Sequence, residues 1–198
     1  LVDPNGVVFG EGASLDLAGS FTVGSADFVE FADGGLFLAT DPGPGASTLS
    51  SAPPSAFGFL APPNEIRFEG SQLEAPGGLS IVGGDVFVDG TRGDGGFGYL
   101  ATEAGRIDVV SLASGGIVGL MPGADGRLPV AASDFGRIDL RGGAVLSSSG
   151  LSPGAPLSNS TPPIPAAGAG DVFIRGGELV IEEAARVCKP DTPGVSLH

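Results

Sequence analysis

The chain has 198 residues and a formal net charge of −14, is rich in glycine (36) and proline (17), and is 41% hydrophobic. This length suits one domain with its own core. The charge argues against nucleic-acid binding, because phosphate recognition needs clustered Arg and Lys, and only 9 of these residues are present. It also argues against electrostatic adhesion to anionic membranes. No apolar run reaches the length of a membrane-spanning helix.

Short apolar segments separated by glycine-rich turns predict an all-β chain. Only residues 179–187 could pass as helical, and their β-branched start fits a strand equally well. In the amino-terminal third the predicted strands are residues 7–9, 15–17, 21–23, 28–31 and 36–38. Strands this short and frequent are typical of a solenoid or a sandwich.

An internal repeat favours the solenoid. The segment GRIDLRGGAVL, which begins at Gly136, can be laid over GDVFIRGGELV, which begins at Gly170. Weaker copies are GRIDVVSL from Gly105, EIRFEG from Glu65 and LSIVGGDVFV from Leu79. Their irregular spacing lies in the range of roughly 20–40 residues that is typical of solenoid repeats.

Each copy predicts one strand with a single apolar face and a corner. Period-two alternation puts Ile138 and Leu140 on one face, and Asp139 and Arg141 on the other. The glycines at 142–143 permit the positive φ of a bend. A strand with one apolar face becomes stable when successive coils stack and close a core. This pattern predicts a parallel β-helix, a single-stranded solenoid of the pectin-lyase type.

Two segments rich in Pro, Ser, Ala and Gly interrupt the pattern, near residues 41–63 and 151–169. Proline is kept out of central strands, so we expect loops that leave the coils at a corner. A smaller excursion is expected at 122–133. The repeat resumes after each loop, which predicts one β-helix domain over residues 1–187 and an unstructured tail over residues 188–198.

The segment DPNGVVFGEGASL, which begins at Asp3, resembles the haemagglutination-activity domain of two-partner-secretion exoproteins, the filamentous-haemagglutinin-like family. In that family an Asn-Pro-Asn-Gly turn leads into an apolar strand, and this chain has Asp3 where Asn is usual. The resemblance continues at AGSF (18–21), FADG (31–34), SAFGFL (55–60), residues 79–85 and residues 105–112.

The resemblance implies a right-handed β-helix that directs the export of a large adhesin across the Gram-negative outer membrane to the cell surface or medium. The implied partner is an outer-membrane barrel transporter with periplasmic domains, and a host-cell or bacterial surface receptor is a further candidate. The coils that precede the turn in the family are expected to be missing. The implied secretion motif is Asp3, Pro4, Asn5 and Gly6.

A purely structural role for this turn stays open beside transporter recognition. Pro4 presets φ, Asn5 tolerates the left-handed region and Gly6 completes the bend. Asp3 can form the same bond from side chain to backbone that Asn forms.

Parallel β-helices also host polysaccharide lyases and hydrolases, so an enzyme of that type is the alternative function. Such chemistry needs carboxylates that converge in a groove. The candidate charged residues are Arg106, Asp108, Arg137, Asp139, Arg141 and Arg175. Because they hold equivalent repeat positions, we expect them to stack as a solvated ladder of alternating charge, and we predict no catalytic residue.

No cofactor or metal site is predicted. The sole histidine, His198, is terminal, and Cys188 has no histidine to activate it. The glycine- and aspartate-containing segments at 83–90 and 93–96 resemble calcium nonapeptides, but the motif does not recur in tandem. Weak calcium binding stays open.

Overall fold

The computed structural model describes residues 1–15, 17–40, 47–48, 50–149, 170–188 and 196–197. These residues form strands, turns and bends, and none of them is helical. The prediction of an all-β chain is therefore confirmed. The one segment that could have been helical contributes strands instead.

Three sheets consist of parallel strands, which are numbered here along the chain. Sheet I contains, from edge to edge, β1 (Val7–Phe9), β6 (Ile66–Glu69), β9 (Val86–Asp89), β14 (Arg137–Arg141) and β17 (Glu178–Ile181). Sheet II contains β7 (Gln72–Glu74), β10 (Tyr99–Ala101), β15 (Val145–Ser147) and β18 (Arg186–Cys188). Sheet III contains β2 (Ser20–Gly24), β8 (Gly78–Gly83), β11 (Arg106–Ser111), β16 (Val172–Arg175) and β19 (Ser196–Leu197).

The fourth sheet is antiparallel. Its strands, from edge to edge, are β4 (Leu36–Leu38), β3 (Phe28–Phe31), β5 (Pro54–Phe59), β12 (Gly116–Gly119) and β13 (Val130–Ala132). The chain forms this sheet in two excursions from the parallel strands, one between β2 and β6 and the other between β11 and β14.

Successive strands visit the three parallel sheets in a constant order. Strands β6, β7 and β8 lie in sheets I, II and III, and so do β9 to β11, β14 to β16 and β17 to β19. Before them, β1 and β2 lie in sheets I and III, and Ser14 bridges Gln72 at the edge of sheet II. Each strand therefore pairs with the strand that holds the same place in the neighbouring triplet.

The three parallel sheets enclose one apolar core. In sheet II the register places Leu73, Leu100 and Leu146 side by side, and all three are buried. Ile138 and Leu140 of β14 are also fully buried in this core, as their alternation predicted. In-register stacking repeats the same inward position from strand to strand, so that aliphatic side chains pack on one another.

A second core lies outside the first and joins the antiparallel sheet to sheet III. Phe57 of β5 and Val118 of β12 pack with Val82 of β8 and Val110 of β11. Val82 and Val110 point away from the first core because their neighbours in the strands point into it. Sheet III thus buries apolar side chains on both faces.

The structure corrects the assignment of two predicted strands. Residues 28–31 and 36–38 form strands, but these are β3 and β4 of the antiparallel sheet rather than strands of a solenoid. The predicted loop at 41–63 contains β5, and the smaller excursion at 122–133 contains β13. Residues 151–169, the second predicted loop, lie outside the described residues.

The carboxyl-terminal region also differs from its prediction at two points. Strand β18 extends to Cys188, and Ser196–Leu197 pair in parallel with β16. The predicted unstructured tail is therefore wrong for these residues, because β16 offers an open edge on which a further strand forms.

Candidate functional site

The predicted secretion motif forms a compact turn immediately before β1. The backbone N–H of Gly6 donates to the carbonyl oxygen of Asp3 over 3.1 Å, which closes a β-turn with Pro4 at its first central position. The Asp3 carboxylate accepts bonds from the backbone N–H of Asn5 (2.9 Å) and from its side-chain amide (3.1 Å). Asp3 thus forms the side-chain-to-backbone bond expected of an Asn at this position.

The positive φ of this turn belongs to Gly6, at +93°. Asn5, which tolerates the left-handed region, is not among the positive-φ residues of the described chain, so Gly6 provides the bend. A Cβ at Gly6 would lie 2.6 Å from the carbonyl oxygen of Glu65, so this position also requires a residue without a side chain.

The turn is attached to the next triplet of strands, and the side chain of Asn5 stays exposed on it. Asn64 donates its amide to the carbonyl oxygen of Pro4 over 2.7 Å, and Val7 N–H donates to Glu65. Asn5 is exposed, and so is Val8 on the outer face of β1. The turn and the start of β1 therefore form a fixed surface with polar and apolar side chains.

The predicted charge ladder does not exist in the expected form. Asp108 lies in β11 of sheet III, whereas Asp139 lies in β14 of sheet I, so the two repeat copies belong to different sheets. Arg175 lies in β16, where it is in register with Val110. The expectation that these residues stack upon one another is wrong.

The two aspartates are also buried rather than solvated. Arg106 binds both carboxylate oxygens of Asp108, and Arg137 binds one oxygen of Asp139 at 3.0 Å. In both cases the arginine lies two residues before the aspartate and on the same face of the strand. Each pair therefore neutralises its own charge within one strand.

Charges on the outer face of sheet I pair both between strands and within a strand. Arg141 of β14 pairs with Asp89 of β9 at 3.1 Å, and Arg137 approaches Glu178 of β17 at 3.6 Å. Arg67 of β6 pairs with Glu69 in its own strand at 2.9 Å. These pairs lie near the surface, where each contributes little to stability.

A cleft of about 390 Å³ opens on the outer face of sheet III beside the antiparallel sheet. Its charged lining residues are Asp108, Asp125, Arg127 and Arg175, and its rings are Phe135 and Phe173. The cleft could not be predicted from the sequence, because residues far apart in the chain form it. It contains two carboxylates, but the oxygens of Asp108 are already bound by Arg106. This arrangement lacks the pair of available carboxylates that glycoside hydrolysis uses.

The described residues contain no group of three or more His, Cys, Asp or Glu side chains suited to a metal ion. In the second calcium-like segment Asp94 binds Arg92 at 2.7 Å and accepts the N–H of Gly96, and these bonds lower the pKa of Asp94 to about 2. His198 lies outside the described residues. In the same described ranges no helix is long and apolar enough to cross a membrane.

Parallel strands in register, joined by glycine-rich corners, place the chain among all-β proteins with a repetitive architecture. A family model described as the TPS secretion domain matches residues 1–159, so the chain belongs to this family, the haemagglutination-activity domain of two-partner secretion. The family is a non-enzymatic export domain of secreted exoproteins. Its partner is an outer-membrane transporter, and its route crosses the Gram-negative outer membrane. No curated protein and no solved structure matched the chain.

Proposed function

We propose that the chain is the export-directing domain of a large secreted adhesin of the haemagglutinin type. It acts without catalysis, and the periplasmic domains of an outer-membrane barrel transporter recognise it. The family match over residues 1–159 carries this proposal. The exported protein then reaches the cell surface or the medium, where a host-cell or bacterial receptor is its target.

We further propose that sheets I, II and III are the three faces of one right-handed parallel β-helix. The constant order in which the strands visit the sheets, and the single core that the sheets share, support this fold. Crossover connections between parallel strands are right-handed in nearly all cases, which supports the hand. The antiparallel sheet is then an extra-helical addition to one face.

The turn at Asp3, Pro4, Asn5 and Gly6 is the proposed recognition element. Its backbone is held by bonds to Asp3 and to Asn64, so a partner would meet it already ordered. Preorganisation lowers the entropic cost of binding. The exposed side chains of Asn5 and Val8 offer one polar and one apolar contact at the same end of sheet I.

Ion pairs between arginine and aspartate within single strands support a non-enzymatic role. Asp108 and Asp139, the aspartates of the two clearest motifs, are each bound by an arginine two residues earlier. A general acid or base must be able to exchange its proton with a substrate. Arg106 occupies both oxygens of Asp108, and Asp139 is buried beside Arg137, so neither carboxylate is presented to a substrate.

The experiment that tests recognition is a binding measurement between the purified chain and the purified periplasmic domains of its transporter. The double variant Pro4→Ala, Asn5→Ala removes the preset φ and the amide without touching the core. The variant Asp33→Ala is a matched control, because Asp33 accepts the N–H of Gly35 in a similar turn within the antiparallel sheet. Asp3→Asn restores the residue that is usual in the family.

The proposal predicts that the double variant binds at least about tenfold more weakly while its unfolding midpoint stays close to that of the parent. Asp33→Ala and Asp3→Asn should bind as the parent does. Equal binding by all four proteins would reduce the turn to a structural corner. Absence of binding by the parent would contradict the recognition role of the domain.

A further inference from the structure

The cleft on sheet III has two walls that one side chain holds together. One wall is the outer face of β11 and β16, and the other is the segment around Gly126. Arg106 fastens the second wall by donating to the carbonyl oxygen of Gly126, and its guanidinium lies 3.8 Å from the ring centroid of Phe173. The same arginine therefore joins both walls and fixes the width between them.

The outer face of sheet III changes from aliphatic to charged side chains where it reaches the cleft. Val82, Val110 and Arg175 are cross-strand neighbours on the outer face. Val82 and Val110 are 0% and 4% exposed beneath the antiparallel sheet, whereas Arg175 is half-buried in the cleft. An aliphatic side chain at position 175 would have extended the second core. The arginine instead places a guanidinium in the cleft wall.

The charge of Arg175 is available to a ligand. Its guanidinium lies 4.5 Å from the ring centroid of Phe135, and it forms no ion pair with any residue in the described ranges. By contrast Arg67, Arg106 and Arg137 are each paired with a carboxylate. In a chain with a net charge of −14, an unpaired guanidinium in a cleft is an anion-binding group.

The other lining residues offer contacts to the remainder of a ligand. Asp125 stands in the same cleft with Arg127, whereas both oxygens of Asp108 are already bound by Arg106. Carboxylate oxygens accept bonds from hydroxyl groups. The rings of Phe135 and Phe173 offer apolar surface to the carbon face of a ring-shaped ligand. The volume of about 390 Å³ lies at the small end of ligand sites.

We propose that this cleft binds a monosaccharide unit that carries one carboxylate, as hexuronic and sialic acids do. Arg175 binds the carboxylate of the sugar, the phenylalanine rings contact its carbon face, and Asp125 accepts a hydroxyl group. No bond is made or broken, so the site is one of binding only. It is separate from the amino-terminal turn and does not depend on the export role.

The test is ligand-observed NMR and calorimetry on the whole chain with D-glucuronic acid and N-acetylneuraminic acid as probes. Glucose and the methyl ester of glucuronic acid keep the ring without the charge, and benzoate keeps the charge and a ring without the hydroxyls. Arg175→Gln removes the proposed anchor. Arg67→Gln is the matched control, because Arg67 also covers a phenylalanine, Phe87, at 5.0 Å, but outside the cleft.

The proposal predicts that at least one acidic sugar binds, and that glucose, the methyl ester and benzoate bind at least about tenfold more weakly. Arg175→Gln should lose about the same factor, and Arg67→Gln should bind as the parent does. If Arg175→Gln fails to fold, the comparison of acid with methyl ester on the parent protein decides. The proposal would be overturned if neither acid binds. It would also be overturned if the acid binds no better than its methyl ester or benzoate, or if the two variants lose equal affinity.

Discussion

Asn64 joins the amino-terminal turn to the next triplet of strands, since its side-chain amide donates to the carbonyl oxygen of Pro4 over 2.7 Å. The backbone carbonyl of Asn64 also accepts the hydroxyl of Ser25 at 2.6 Å and the N–H of Gly84 at 3.0 Å. This residue therefore connects a corner of one triplet to the corners before and after it. The shape of the proposed recognition turn depends on a residue 60 positions away.

Replacement of Asn64 tests this dependence. Asn64→Ala removes the donor and should lower the free energy of unfolding by about 0.5–1.5 kcal/mol, the usual worth of one hydrogen bond. Asn64→Asp keeps the shape but sets a carboxylate against the Pro4 carbonyl, so its loss should be larger. Urea denaturation measures both. A parent-like stability for Asn64→Asp would show that the bond contributes nothing.

Gly6 and Gly12 form a matched pair for the role of the turn. Both have a positive φ, +93° and +85°, but a Cβ would meet the Glu65 carbonyl at Gly6 and nothing within 4 Å at Gly12. Gly12→Ala should cost about 1–2 kcal/mol from backbone strain alone. Gly6→Ala should cost distinctly more, because the turn must also move away from the neighbouring strand.

Thermal and urea denaturation of both variants give the comparison. Equal losses at the two positions would mean that the turn yields to the new methyl group without cost. That result would contradict the tight contact between the turn and Glu65.

The buried face of the strands could be predicted from the sequence. The alternation of Ile138 and Leu140 with charged residues correctly assigned the buried face, because period-two burial depends only on the local pleat. The bond from Asn5 N–H to Asp3 was likewise predictable, since an Asx turn is a local structure. The buried face of the strands and the turn could therefore be predicted because both depend on neighbouring residues.

The sheet that each strand joins could not be predicted from the sequence. GRID at residue 105 and GRID at residue 136 begin strands of different sheets, because an Arg-Asp pair on the outer face suits any of the three parallel sheets. Residues 28–31 alternate as a solenoid strand would, yet they pair antiparallel to β5. The cleft was invisible for the same reason: Asp108 and Phe173 become neighbours only through pairing of β11 with β16.

Leu100 tests the shared core. It is fully buried at the centre of sheet II, with Leu73 and Leu146 on either side. Leu100→Ala should lower the free energy of unfolding by about 2–5 kcal/mol, the range for buried leucines. Met121→Ala is the surface control, because Met121 is exposed in an excursion, and it should change stability by less than about 0.5 kcal/mol. Equal effects in urea denaturation would contradict a packed core shared by the three parallel sheets.

Glu74 should make the free energy of unfolding depend on pH. Burial, and secondarily the carboxylate of Glu103, raises the pKa of Glu74 above its ordinary value. A raised pKa in the folded state means that ionised Glu74 costs stability at neutral pH, and this cost disappears as the pH falls below the unfolded pKa of about 4.3. Glu74→Gln should therefore raise the free energy of unfolding at pH 7.

Urea denaturation at pH 7 and at pH 4 measures this effect. The gain from Glu74→Gln should shrink at the lower pH, where the parent side chain is itself largely protonated. Glu103→Gln should give a smaller gain at pH 7, since Glu103 is the secondary cause. A loss of stability in Glu74→Gln at pH 7 would contradict this assignment.

The proposed role of this domain, export through its transporter, can be measured as secretion of the exoprotein that contains it. The exoprotein is produced in a Gram-negative host with and without its transporter, and its fraction in the medium is measured. We expect secretion that depends on the transporter, that is lost when residues 1–159 are deleted, and that is kept by the exoprotein carrying Asp33→Ala. Secretion that proceeds without the transporter, or without residues 1–159, would contradict this role.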